Sequence, residues 1–211
     1  MRRVNNINLR VVKRKELDDY VLNQYILNEG KIIEECLISN IDFENNCLFA
    51  NDKKIKFKYL IGADGVFSQV RTLLTQEKQD YVMGYESFQN IQYQLGIPIV
   101  EFNSDQVGYN LIMSVQDTVL LGSCDITSHS KCKTDYEKMV KFYGGDPTLK
   151  RGGFLPTGKN ILLNSNNVFF VGDAAGLIHP LTGEGMYYAI KSVLALYTHF
   201  TTDNQNYELL L

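Results

Sequence analysis

Asp173 stands between a continuous apolar run, Val168-Phe169-Phe170-Val171, and a segment that ends in two closely spaced glycines, Gly183 and Gly185. An ionised carboxylate in such a place can accept strong charge-assisted hydrogen bonds from hydroxyl groups. The apolar residues from Met186 to Leu196 recur at helical spacing, so the glycines leave backbone N–H groups uncovered just where a helix begins. A helix start offers roughly half a positive charge to an anionic group. A buried strand, a carboxylate at its carboxyl end and a glycine-opened helix together make a place to hold a polar cofactor, because open α/β sheets bind ligands at that end. The plainer reading is a turn in which Asp173 caps the next helix.

Three further groups could carry chemistry. Tyr59-Leu60-Ile61-Gly62 runs into Ala63-Asp64-Gly65 and then Ser68-x-x-Arg71, a strand, a turn and a helix start, although Asp-Gly is also ordinary turn chemistry. His179 is a candidate acid, since a histidine can titrate near neutral pH, and a packing or backbone role is the favoured reading. Cys124, His129 and Cys132 are close in sequence, yet a fourth ligand is missing, so free thiols are the expectation. Gly183-x-Gly185-x-x-Tyr188 is not a dinucleotide fingerprint, since tyrosine stands where close helix packing needs glycine or alanine.

The elements that must position these residues follow from periodicity. Lys15 to Asn28 carries Leu17, Tyr20, Val21, Gln24 and Tyr25 at helical spacing, which predicts an amphipathic helix stopped by Gly30. Residues from Lys31 to Ile61 read as strands with turns at 44–46 and 51–53, the last strand running from Ile55 to Ile61. Beyond Glu77, the runs Ile91 to Val100, Tyr109 to Val115 and Thr118 to Gly122 predict an antiparallel sheet. A helix through Tyr136, Met139, Val140 and Tyr143 follows.

Two of these motifs carry a resemblance. GDAAGLIHPLTGEGMYYAI, from Gly172 to Ile190, resembles the second flavin motif of FAD-dependent oxidoreductases related to p-hydroxybenzoate hydroxylase, in the version of the geranylgeranyl reductase branch. YLIGADGVFSQVR, from Tyr59 to Arg71, resembles the other internal motif of that group. The implied fold is α/β (α+β overall), a partial FAD-binding Rossmann-like domain with an inserted antiparallel-sheet substrate domain. The implied layout is residues 1–76 and 158–211 for the FAD-binding parts and 77–157 for the substrate sheet, with Gly153 to Gly158 crossing back.

By this resemblance Gly172, Asp173 and Ala174 hold the ribityl side of FAD, while Pro180, Thr182, Gly183, Glu184, Gly185 and Met186 line the ring. Asp64 and Gly65 lie nearer the pyrophosphate, and Arg71 holds its helix in place. Arg14-x-x-Leu17-Asp18 resembles the family's Arg-x-x-Phe-Asp segment, whose arginine lies near the flavin; an exposed arginine at a helix start is the alternative. The implied activity is reduction of carbon–carbon double bonds in a prenyl or similar lipid, with electrons from NAD(P)H or a ferredoxin. The runner-up is an FAD-dependent aromatic monooxygenase.

The family's opening GxGxxG unit is not found: Met1 to Arg10 has no glycine, and the first glycine is Gly30. Gly108-Tyr109 begins like the reductases' substrate strand but continues Asn110-Leu111-Ile112-Met113-Ser114, without the tryptophan, phenylalanine and proline. The resemblance therefore implies an internal portion of a longer flavoprotein, or a subunit whose βαβ unit comes from a separate chain. A non-catalytic remnant with weak FAD retention and a tendency to aggregate is the reading from another class.

With 45% apolar residues, the 211-residue chain can bury a substantial core. A net charge of −3 argues against a nucleic-acid partner. No stretch approaches the roughly twenty apolar residues of a membrane span. The expectation is a soluble, cytoplasmic protein, with a lipid or isoprenoid substrate admitting peripheral contact with a membrane.

Overall fold

The computed structural model describes residues 14–51, 53–92, 96–102, 108–125, 128–179, 182–202 and 206–211. The chain forms two compact units, Met1–Leu37 and Ile38–Leu211. The first unit holds helix α1, Arg14–Leu27. Its charges pair locally, Arg14 Nε donating to Asp18 at 3.1 Å and Lys15 Nζ to Asp19 at 2.5 Å. The helix ends where Glu29 turns left-handed (φ 62°) and the Gly30 N–H bonds the Tyr25 carbonyl at 2.9 Å. The expected helix is there, but its expected amphipathic burial is not: no residue of α1 is buried.

The second unit opens with an antiparallel meander of β1 (Ile38–Asp42), β2 (Cys47–Ala50) and β3 (Lys53–Lys56). Asp42 accepts the Asn45 N–H, and Asn46 adopts a positive φ, so the first hairpin turn is made by short polar side chains. The single strand expected from Ile55 to Ile61 is divided. β3 stays with the meander, whereas β4 (Leu60–Gly62) leaves it to pair in parallel with β11 (Val168–Phe170). β10 (Asn164–Ser165) closes the other side of β11, giving the order β10-β11-β4. Val168, Phe169 and Phe170 are all buried, as a continuous apolar run requires of a strand covered on both faces.

Helix α2 (Gln69–Thr75) follows β4 and is capped twice. The Ser68 hydroxyl accepts the Arg71 N–H at 3.0 Å, and the Asp64 carboxylate accepts those of Gln69 and Val70 at 2.7 and 3.2 Å. Helix α4 (Met186–Thr201) starts at the expected glycine and runs five residues past Leu196. It lays Ala195 and Leu196 on Phe169 and Val171, with Tyr207 beneath, while Phe170, Val168, Val70, Ala174 and Ala175 form the core on the other side.

The five-stranded antiparallel sheet has the order β6-β7-β8-β5-β9, built from β5 (Tyr81–Gln89), β6 (Ile99–Glu101), β7 (Gly108–Val115), β8 (Thr118–Asp125) and β9 (Arg151–Pro156). β5 was not expected as a strand. Of the expected run from Ile91 to Val100, residues 93–95 lie outside the described ones and only Ile99 and Val100 are in a strand. Helix α3 (His129–Phe142) covers this sheet, packing Cys132, Tyr136, Met139 and Val140 on Tyr85, Ile112 and Leu121. Among the described residues no helix is long and apolar enough to cross a membrane.

Candidate functional site

β11 ends at Phe170, and the chain turns through a 3-10 segment, Gly172–Ala175, that places Asp173 at the carboxyl end of the parallel pair. The turn is closed by Gly176, whose φ of 81° is left-handed and whose missing Cβ would stand 2.8 Å from the Asn160 carbonyl oxygen. Its backbone is gripped from three sides. The Gly172 N–H donates to the Ser192 hydroxyl of α4 at 3.0 Å. Gln79 donates to the Asp173 carbonyl at 2.9 Å. Arg71 donates to the Ala174 carbonyl at 3.3 Å, to Gln79 Oε1 at 2.8 Å and to the Asn160 carbonyl at 2.6 Å. Arg71 thus does hold its helix, and through it the turn. Burial draws its pKa below the ordinary guanidinium value, opposed by the charge of Glu77.

The loop that leads into α4 folds back on itself. The Gly183 N–H donates to the His179 carbonyl, the His179 N–H to the Glu184 carbonyl, and the Thr182 N–H to His179 Nδ1. His179 therefore organises the loop through its backbone and ring. The Gly183 N–H expected to face a ring is spent inside the loop. A Cβ on Gly185 would lie 3.0 Å from Asp173 Oδ1, so the glycine lets the loop pass directly over the carboxylate. Tyr109, the second residue of β7, donates its hydroxyl to the Thr182 carbonyl and stands over Gly183. Burial pushes the Tyr109 phenol up to about 12, so it remains a donor at neutral pH.

Sequence reasoning placed Gly172, Asp173, Ala174, Thr182, Gly183, Glu184, Gly185 and Met186 in one site, and the structure brings the turn and the loop together across Asp173 and Gly185. Pro180 lies outside the described residues. Asp64 is at the carboxyl end of β4, beside that of β11, but its carboxylate is engaged in capping α2. Gly65 has a φ of 77° and open space where a side chain would be. Arg14 belongs to the first unit, where it pairs with Asp18. Gln79, Ser192, Asn160 and Tyr109 carry site contacts without having been singled out for them.

Two observations bear on whether these residues suit a flavin. The Thr182 hydroxyl is buried with no hydrogen-bond partner among the described residues. The carboxylate of Asp173 is half-buried beneath a loop that keeps glycine where side chains would close it. Both fit a ligand rich in hydroxyl and amide groups. Elsewhere, His129 Nε2 bonds the Tyr85 hydroxyl at 2.7 Å and Cys132 donates to the Ser123 carbonyl, so neither converges with Cys124 on a shared centre. A cleft of about 580 Å3 lies at the opposite end of β7 and β8 from Tyr109, around Ser114, Gln116 and Thr118.

No family model matches the chain. A protein of Methanosarcina barkeri, described as uncharacterised, is 28% identical over 200 residues, covering 87% of this chain and 50% of its own length. Among solved structures, PqsL of Pseudomonas aeruginosa, a probable FAD-dependent monooxygenase, is 20% identical over 93% of this chain and 63% of its own, with a TM-score of 0.65. The myxobacterial chondrochloren halogenase CndH, an FAD-dependent halogenase, is 16% identical over 96% and 55%, with a TM-score of 0.67. BrvH, a flavin-dependent halogenase of Brevundimonas, is 13% identical over 92% and 43%, at 0.66. The chain thus spans about half the length of the curated relative that it matches. What it shares with the solved structures is their mixed α/β fold.

Proposed function

We propose that the chain belongs to an FAD-dependent oxidoreductase and carries the part of it that holds the ribityl chain and the flavin ring. The observation that carries this reading is the seating of Asp173 at the end of β11, clamped through the carbonyls of its own turn and overlain by Gly185. Asp173 would accept hydrogen bonds from ribityl hydroxyls, and Gly172 and Ala174 would give it close backbone approach. Thr182 would offer its free hydroxyl to the ring's polar edge, with Gly183 and Glu184 completing the loop. The amino end of α4, at Gly185 and Met186, would stabilise negative charge on that edge. The flavin itself supplies the hydride or oxygen chemistry. Asp64 and Gly65 stand at the carboxyl end of β4, where the pyrophosphate side would lie.

The sequence GEGMYYAI favours reduction of carbon–carbon double bonds in a prenyl or similar lipid, with NAD(P)H or a ferredoxin as donor and peripheral contact with a membrane as the route to substrate. A second reading, an aromatic monooxygenase, is favoured by the solved structures of like fold, which include a probable FAD-dependent monooxygenase and FAD-dependent halogenases. To test the shared part, the chain is purified with added FAD and its visible absorbance compared with protein concentration. Stoichiometric flavin, lost in Asp173→Ala, is expected. A folded protein that retains no flavin would refute the assignment. Oxygen uptake coupled to an aromatic substrate would then select the monooxygenase over the reductase.

A further inference from the structure

On the face of the five-stranded sheet that α3 covers, one transverse row of side chains is polar. The registers Tyr85–Ser123, Ser123–Asn110 and Asn110–Glu101 set these four residues side by side across β5, β8, β7 and β6. The adjoining row, Leu121 and Ile112 with Ile99, is apolar and packs on α3. Tyr85 is satisfied, its hydroxyl lying 2.7 Å from His129 Nε2. Asn110 and Ser123 are 6% and 4% exposed, and Asn110 Oδ1 and Ser123 Oγ are buried with no hydrogen-bond partner among the described residues. Buried oxygens of this kind lower stability, because the bonds to water that they gave up are not replaced. Two of them, opposite each other on a face that is otherwise apolar, call for a partner.

The row meets the surface at Asn110. A groove of about 420 Å3 lies between the β6–β7 edge and α3, with Asn110 as its buried polar residue. Glu101 and Asp135 bring two carboxylates to the groove and Lys138 one ammonium, 3.8 Å from Asp135, which leaves one negative charge in excess. Its apolar wall is Met139 and Phe142, the last residue of α3, 83% exposed. An acceptor oxygen requires a donor, the excess carboxylate favours a cation, and the open ring favours an apolar body. A primary ammonium on a short apolar body meets all three demands.

We propose that this groove binds a small primary amine with an aromatic or aliphatic body, its ammonium donating to Asn110 Oδ1 and balanced by Glu101 and Asp135. A half-turn of the Asn110 amide turns its oxygen to the ligand and lets its nitrogen donate to the Ser123 hydroxyl opposite, so one ligand satisfies both buried oxygens. Tyr109, the neighbour of Asn110 in β7, turns to the other face of the sheet, toward the loop over Asp173. The groove is therefore separate from the flavin position, and the proposal does not rest on that assignment.

The experiment titrates the chain with phenethylammonium chloride and follows its side-chain amide resonances together with its thermal unfolding. Saturable shifts of the Asn110 amide are expected, with an unfolding midpoint that rises with ligand concentration above Kd. Phenylethyl alcohol and phenylacetate, which keep the ring and lose the cation, should produce neither at the same concentrations. Glu101→Gln and Asp135→Asn should each weaken binding about threefold. Asn110→Leu should abolish it and raise the midpoint of the ligand-free chain by about 2 °C or more, because an apolar group of similar size replaces an orphaned polar one. No saturable shift at Asn110 overturns the proposal, as does phenylacetate or phenylethyl alcohol binding as tightly as the amine. A ligand-free Asn110→Leu chain that melts no higher than the parent also overturns it, since trapped water would then satisfy the amide inside the protein.

Discussion

At the scale of residues, the position of Asp173 depends on side chains far away in sequence. Arg71 and Gln79 fix the two successive carbonyls of Asp173 and Ala174, and Ser192 fixes the N–H of Gly172. Arg71→Met removes bonds to Ala174, Asn160 and Gln79 and leaves buried acceptors unpaired, so it should cost about 1–3 kcal/mol in urea unfolding. Arg71→Lys should recover only part of this, because an ammonium cannot span three acceptors as a planar guanidinium does. Asp173→Ala should weaken FAD about tenfold or more in a fluorescence titration, through the loss of charge-assisted bonds to the ligand. An Asp173→Ala protein that binds FAD as tightly as the parent would sink this role for the carboxylate. Asp173 and Arg71 were legible because each sits in a motif with a mechanism. Gln79 and Ser192 were not: each is a lone polar residue whose meaning comes from tertiary packing.

At the scale of elements, the reading succeeded where apolar residues repeat and failed where polar ones face inward. β11 and the start of α4 follow from their patterns. β5 does alternate, but its inward positions are Tyr85, Ser87 and Gln89, so two of its three buried side chains are polar. They are tolerated because the Tyr136 hydroxyl and the Gln89 amide both donate to Ser87, while Gln89 exchanges two bonds of 2.8 Å with the backbone of Asp146. This small network ties β5 to α3 and to the turn after it, and nothing in the local sequence announces it. At α1 the helical spacing of apolar residues does give a helix, yet none of its residues is buried. Tyr136→Phe removes one donor while Ser87 keeps the other, so about 1 kcal/mol is expected. Gln89→Leu strands the N–H and carbonyl of Asp146 together and should cost about 1–3 kcal/mol. Both are read from thermal or urea unfolding, and a Gln89→Leu protein as stable as the parent would show that the network is ornamental.

At the scale of the whole molecule, desolvation of buried acids predicts sensitivity to alkali. Burial pushes the Cys124 thiol up to about 11, with the charges of Cys132 and Asp125 adding to it. Burial likewise raises the Tyr109 and Tyr207 phenols to about 12, each well above its usual value. These groups lie in β8, at the contact between β7 and the loop before α4, and beneath the parallel pair, so the effect is distributed through the second unit. The sign follows from proton counts. Below the unfolded pKa values both states are protonated and the full stability is present. Above about pH 9 for the thiol and about pH 10 for the phenols, the unfolded chain loses protons that the folded one keeps, so stability falls until pH passes the folded values. Urea midpoints should therefore decline from about pH 9 and more steeply beyond about pH 10. Cys124→Ala should remove the earlier part of the decline, and Tyr207→Phe should flatten the later part while lowering stability at neutral pH, because its hydroxyl donates to the Phe170 carbonyl at 2.8 Å. A midpoint that is level from about pH 8 to about pH 10.5 would mean that these groups meet water in the folded state, and with it that the sheet and the loop are not closed on one another at Tyr109.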